Sequence, residues 1–323
     1  MKYNFKTGKL IKINLISLFI VCIAGFSCTG QSIKSEAQGF LSVTNPKIPS
    51  KMNFAGKSVS LDRIDMFECL DRELTSLLYS HGNTLLTIKR ANRYYPLIVP
   101  ILEKYNIPSD FFYLAAVESC FNLRAYSPAK AAGIWQFIPV TAKEYGLEVG
   151  VEVDERYDPE KATEAACLYF KKAYVKYGDW SSVMASYNGG MGRISKELDR
   201  QRCTTFFNLY LNEETTRYVY RIMAMKVILE NYDDFGFSVS SEQMYQPVKY
   251  KEVEVSGTVE NWADWGGRYG VTYAQLRELN PWIRRITLTN KSGKTYKVKV
   301  PLKEDLYRSK RNFKTYNIES LAD

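Results

Sequence analysis

Between about Leu61 and Asn231 apolar side chains recur every three or four positions, the spacing of helices that bury one stripe. Breaks fall at Gly82-Asn83, Pro96, Pro108, Pro128, Gly146, Pro159, Gly178 and Asn188-Gly189-Gly190, so the pattern predicts helix after helix in one all-α domain over residues 60–236. Ser109 is placed to cap the helix that begins near Phe111, and Asp179 to cap Trp180 to Tyr187. Asn188-Gly189 is placed to end that second helix in the left-handed conformation. From Val248 the period changes to two: Tyr250 to Val255 and Thr295 to Val300 alternate like half-exposed strands, with helical stretches Trp262 to Tyr269 and Tyr273 to Leu279 between them. The expected fold is mainly α, followed by a small α+β module of strand-helix-helix-strand order over residues 248–303. Residues 29–59, with Pro46 and Pro49, read as a tether, and residues 304–323 as a C-terminal tail.

One residue interrupts the apolar pattern. The run Phe111-Phe112-Tyr113-Leu114-Ala115-Ala116-Val117-Glu118-Ser119-Cys120-Phe121 is hydrophobic nearly all round when wound as a helix, which marks a buried element, yet it carries Glu118. Burial disfavours the charged carboxylate and raises its pKa, giving a group able to hold and release a proton near neutrality. The structural alternative is a glutamate paired with an arginine such as Arg124.

Composition narrows the chemistry. The chain has 323 residues, 46% of them hydrophobic, enough for a large core and a second smaller unit. Lys2, Lys6, Lys9 and Lys12 followed by the apolar stretch Leu15 to Ala24 read as an export signal, too short to span a bilayer. Gly25-Phe26-Ser27-Cys28 resembles a lipobox, making Cys28 the expected lipidation site and residues 1–28 the signal; ordinary cleavage nearby, or after Ala37, is the alternative. Removing the signal takes away four lysines and no acid, lowering the net charge from +9 to +5. That suits loose attraction to an anionic polymer or membrane surface. Lys and Arg are scattered, so nucleic acid is not an expected partner.

Cys69, Cys120, Cys167 and Cys203 fit no metal-ligand spacing, and their pairing is open: disulfides in an exported protein, or small buried hydrophobes. The sole histidine, His81, beside the turn signal Gly82-Asn83, reads as a surface-loop residue and leaves no zinc site and no serine-histidine triad. No metal and no cofactor is implied. Acid-base work must come from carboxylates and tyrosines.

Four segments then stand out together: Ala116-Val117-Glu118-Ser119-Cys120-Phe121-Asn122, Gly133-Ile134-Trp135-Gln136-Phe137-Ile138-Pro139, Ala185-Ser186-Tyr187-Asn188-Gly189-Gly190 and Glu214-Thr215-Thr216-Arg217-Tyr218-Val219. In this order they resemble the catalytic domain of lytic murein transglycosylases of the soluble type, over roughly residues 100–230, with Ser127-Pro128-Ala129 and Tyr157-Asp158-Pro159 matching as well. With the lipobox and trailing module, the layout is similar to the membrane-bound D-type subgroup. Arg268 to Pro281 is similar to the middle of a LysM peptidoglycan-binding module, although Gly257-Thr258-Val259-Glu260-Asn261-Trp262 departs from that module's usual opening.

The resemblance implies a lysozyme-like helical fold acting on peptidoglycan glycan strands at a periplasmic membrane surface, with the outer membrane as the expected one. Glu118 would be the only catalytic acid-base, closing a 1,6-anhydro ring on the muramoyl sugar. It also implies that Gln136 contacts substrate or Glu118, that Ser119 and Ser127 hydrogen-bond nearby with Ser127 lining the sugar site, that Tyr187 and Asn188 touch sugar, and that the Tyr218 hydroxyl lies near Glu118. Each has a plainer reading. Ser119 and Ser127 suit caps or turns, Asn188 a left-handed cap, and Tyr218, in step with Ile222, Met225 and Leu229, core packing. Trp135 and Phe137 suit either sugar faces or core. A hydrolytic muramidase and a noncatalytic wall-binding scaffold stay open as alternatives.

Overall fold

The structure, a computed structural model, describes residues 45–316 and residue 318. The proposed signal and Cys28 lie outside them. The described chain opens with a hairpin, β1 (Lys51–Phe54) against β2 (Lys57–Ser60), turned by Ala55 and Gly56, both at positive φ. Phe54, Ala55 and Val59 are buried in the main core. The tether expectation is corrected from residue 51 onward: two four-residue strands are too short to show an alternating pattern, and the prolines before them masked the rest.

Ten helices follow among the described residues: α1 (Ile64–Leu78), α2 (His81–Lys104), α3 (Phe111–Ser119), α4 (Pro139–Glu144), α5 (Pro159–Tyr177), α6 (Trp180–Gly189), α7 (Met191–Arg200), α8 (Glu213–Glu230), α9 (Trp262–Gly267) and α10 (Tyr273–Leu279). The first eight build the expected mainly α body. α2 runs through Gly82-Asn83, Pro96 and Pro100 without a break. Proline costs a helix one hydrogen bond, but Ala91, Ile98, Val99 and Leu102 are buried along α2, so packing outweighs the local preference. His81 is accordingly the exposed first residue of a helix, not part of a loop.

Phe111 through Ala116 of α3 are fully buried, as the all-round apolar pattern predicts. Ser109 does not cap this helix; its carbonyl accepts from the Phe112 N–H, and the flanking residue is Asp110. The Asp110 carboxylate goes elsewhere, accepting from Lys226 Nζ at 2.9 Å, and Lys226 also pairs with Glu230, which accepts from the Tyr113 hydroxyl at 2.7 Å. This buried network fixes α3 against α8. Asp179 caps α6 as expected, its Oδ2 accepting from the Ser182 N–H at 2.9 Å. The residue with positive φ at the far end is Gly190, so Asn188 is helical and the left-handed cap expected there is corrected. Cys69, Cys120, Cys167 and Cys203 are free thiols; Cys167 is buried in α5, whereas Cys120 lies just beyond α3.

The C-terminal module has its two strands, β3 (Tyr250–Val255) and β4 (Tyr296–Pro301), paired antiparallel with Tyr250 opposite Pro301. Asn261 caps α9, and Thr272 with Gln275 forms a capping box on α10. Asn280 is buried and ties α10 to β4 by bonds to Leu276 O, Lys299 O and Lys299 N. Although it is a unit in sequence, the module is not separate in space. Its Trp282, Ile283 and Tyr296 share one hydrophobic cluster with Ala132, Val153 and Tyr157. Val153 bridges Ile283, the Arg284 guanidinium lies 4.0 Å above the Tyr157 ring, and Lys299 reaches Glu160 at 2.7 Å. The segment expected as a tail returns to α2, where Asn92 bonds Lys314 O and the Tyr316 N–H, and Ile318 is buried in the main core.

Candidate active site

α3 delivers Glu118 in its last turn, and the chain then reverses through Cys120 (φ 50) and Phe121 (φ 53), two successive left-handed residues. Such residues cost about 1–2 kcal/mol each. The turn is held because Phe121 is buried against Tyr94 and Phe112 and because Arg90 Nη1 donates to Cys120 O at 3.1 Å. Lys130 and Gln136 are also left-handed, so strained backbone concentrates in the loop leading away from Glu118.

Gly133 (φ 78) is required in that loop, since a Cβ there would sit 1.8 Å from Arg156 O. Arg156 is the strut underneath. It is buried, forks onto the Asp154 carboxylate at 2.9 and 2.7 Å, and donates through Nη1 to Lys130 O and Phe137 O.

Glu118 is half-buried, and the Tyr218 hydroxyl on α8 donates to its Oε1. Burial is the largest influence and pushes the carboxyl up to about 7, opposed by the Tyr218 hydrogen bond and by the charge of Arg221. Tyr218 is itself driven well above an ordinary phenol by burial first and then by Glu118, so it stays a neutral donor. Tyr187 is raised too, by burial first and then by the charge of Glu118. No second carboxylate is among the groups acting on Glu118 in the described residues. The geometry is that of a lone acid poised to donate and accept one proton.

The other expected site residues divide. Arg124 is not the partner of Glu118; it pairs with Glu278 of the module. The Gln136 amide donates to Gly133 O at 2.8 Å and to Ala125 O at 3.3 Å, so its expected contact with Glu118 is replaced by bonds that close the loop. Ser119 Oγ donates to Ile134 O at 2.9 Å and Ala115 O at 3.2 Å, and Ser127 Oγ accepts from the Ala131 N–H at 3.1 Å, both structural bonds. The Tyr187 hydroxyl donates to Trp135 O at 2.7 Å, and Asn188 Oδ1 accepts from Thr215 on α8 at 3.0 Å. Trp135 and Phe137 are buried, with Trp135 Nε1 donating to Thr163, which removes them as sugar-facing rings.

Three residues that shape the site were not singled out in the sequence: Arg156, Arg221 and Glu73. Arg156 directly precedes the Tyr157-Asp158-Pro159 segment. Arg217 and Arg221 stand one turn apart around Tyr218, a spacing that would have raised the question of their partner.

Comparison with known proteins identifies the class. Residues 97–209 match the family model described as Transglycosylase SLT domain, and residues 251–304 match the Soluble lytic transglycosylase C-terminal LysM-like domain. The chain therefore carries a transglycosylase SLT domain, mainly helical in its structure, followed by a LysM-like domain. It is 34% identical to the membrane-bound lytic murein transglycosylase D of Escherichia coli over 70% of this chain and 49% of the relative. The membrane-bound lytic murein transglycosylase C of Haemophilus ducreyi is 28% identical over 48% of each chain. The chain thus spans about half the length of these curated relatives. The solved 70 kDa soluble lytic transglycosylase of Escherichia coli aligns with 55% of this chain and 31% of its own, at 20% identity and a TM-score of 0.39.

Proposed function

We propose that the protein is a lytic transglycosylase that cuts the β-1,4 bond between N-acetylmuramic acid and N-acetylglucosamine in peptidoglycan and leaves a 1,6-anhydromuramoyl end. The observation that carries this reading is a single carboxyl, Glu118, raised to about 7 inside an apolar helix, with a neutral phenol donating to it. Protonated, Glu118 gives its proton to the leaving glycosidic oxygen. Ionised, it takes the proton of the muramoyl 6-hydroxyl, which closes on the anomeric carbon. Tyr218 stabilises the ionised stage between the two transfers. Because the nucleophile belongs to the sugar itself, its proximity replaces the second carboxylate that a hydrolase would use to activate water or form a covalent bond.

In this reading residues 60–236 form the catalytic unit and residues 248–303 hold the wall polymer beside it. Ser119, Ser127, Gln136, Tyr187 and Asn188 shape the sugar site through the backbone they fix. The basic start, the apolar stretch and Gly25-Phe26-Ser27-Cys28 support export and a lipid anchor on Cys28 in the periplasm, with the outer membrane as its seat. The test is mass spectrometry of soluble muropeptides released from purified sacculi by the wild type and by Glu118→Gln. Products about 18 Da lighter than hydrolytic ones, absent with the variant, are expected from internal ring closure. Products carrying the full water would overturn the reading.

A further inference from the structure

Glu73 of α1 has no exposed surface, yet its carboxylate is crowded by cations. Its Oε1 accepts from Arg217 Nε at 2.7 Å and Arg72 Nε at 3.2 Å, and its Oε2 accepts from Arg221 Nε at 3.0 Å. Glu213 lies within 3.8 Å of Arg72 and 3.7 Å of Arg217 but has no ion pair with Arg221. Arg217 and Arg221 flank Tyr218 along α8, the helix that supplies the hydroxyl donated to Glu118. Around Glu118 itself the facing groups are Tyr218 and Arg221 from α8 and Tyr187 from α6; the only other titratable group of α3, Tyr113, donates to Glu230 instead. Among the described residues Arg221 is thus the one cation that acts on Glu118, and Glu73 is the carboxylate that holds it.

We propose that Glu73 is a positioning residue for Glu118: by keeping Arg221 as its own partner, it prevents that guanidinium from closing on the Glu118 carboxylate and fixing it in the ionised form. This inference rests on Glu118 being the acid. Arg221 is on a long, partly exposed arm. Without the Glu73 charge it loses its ion pair, and Glu118 becomes an anion already within reach of its field. A guanidinium brought alongside a carboxylate lowers its pKa by about 1–3 units. Glu118 would then enter neutral pH without the proton it must give.

The test titrates the Glu118 carboxyl by 13C NMR in the full chain in detergent micelles, labelled at glutamate and assigned against Glu118→Gln. Glu73→Gln is expected to move the midpoint down by about one pH unit, an approximately fivefold drop in the protonated fraction at pH 7. Arg221→Gln is expected to move it up, and the double variant to return to the wild-type value or above. A midpoint unmoved by Glu73→Gln overturns the proposal, as does a double variant lowered as far as Glu73→Gln alone, which would reflect a loosened α1–α8 contact. Should Glu73→Gln fail to fold, Arg221→Gln decides: a midpoint that does not rise overturns the proposal. The titration needs no substrate, so its failure leaves the glycan-cleavage reading standing, and absence of cleavage leaves the titration interpretable.

Discussion

Two glutamates, Glu73 on α1 and Glu118 on α3, both face α8, and they are treated in opposite ways. Glu73 is fully buried but meets three guanidinium groups, so its charge is over-compensated. Glu118 meets only a phenol and the field of an arginine bound elsewhere, which oppose the effect of burial without cancelling it, and its pKa rises. Burial is common to both, and the partners differ: Arg217 and Arg221 of α8 bind Glu73, while Tyr218 between them on the same helix bonds Glu118. One carboxylate is ion-paired across α1 and α8, and the other is left short of positive charge.

The largest effect that would break this comparison is on cleavage. Glu118→Gln should cut the rate of glycan cleavage by about 1000-fold, measured as released muropeptides, while circular dichroism stays unchanged. The same change should alter stability with a definite sign. The folded-state pKa of Glu118, about 7, lies above its ordinary 4.5, so the folded state holds the proton more tightly. Its contribution is intact below about pH 4.5 and is lost as pH rises through 7, and the amide has no such loss. Well above pH 7 the variant should be more stable than the wild type by about 3 kcal/mol in denaturant titrations.

Glu73→Ala should act in reverse, destabilising the fold by about 3 kcal/mol at neutral pH by leaving the arginines without their buried anion. Equal stability changes at the two glutamates would remove the distinction. Tyr218→Phe should lower cleavage about tenfold and shift the alkaline limb of the pH–rate profile upward, because a hydrogen bond to the ionised form is lost. The smallest effect belongs to Arg124→Ala. Its pair with Glu278 is largely exposed on both sides, so the stability change should stay below about 0.5 kcal/mol.

The difference between the two sites also marks what could be read from the chain. Glu118 was legible because an acid inside an apolar helix violates the local pattern. Tyr218 was legible through the company of Glu214, Thr215 and Val219, while its own spacing suggested core. Glu73 sits in Asp71-Arg72-Glu73, which reads as a solvated helix face, and nothing local says that the face is covered by α8. Gln136 was expected to contact substrate or Glu118, and the carbonyls that its amide meets belong to a loop folded back by Gly133 and Arg156, out of reach of any local pattern. The hairpin at residues 51–60 was missed because four-residue strands carry too little pattern against flanking prolines.

By itself the sequence determined the helical body, the strand-helix-helix-strand module, the Asp179 cap and the one carboxylate out of place, because each depends on periods and caps within a few residues. Only the tertiary structure decided which charges meet. Arg217 and Glu73 are 144 positions apart, and Tyr218 and Glu118 are 100 apart. No local rule reaches across such separations. Packing of α8 against α1 and α3 set the partners of both glutamates, since the energy of a buried charge depends on groups brought to it by the fold.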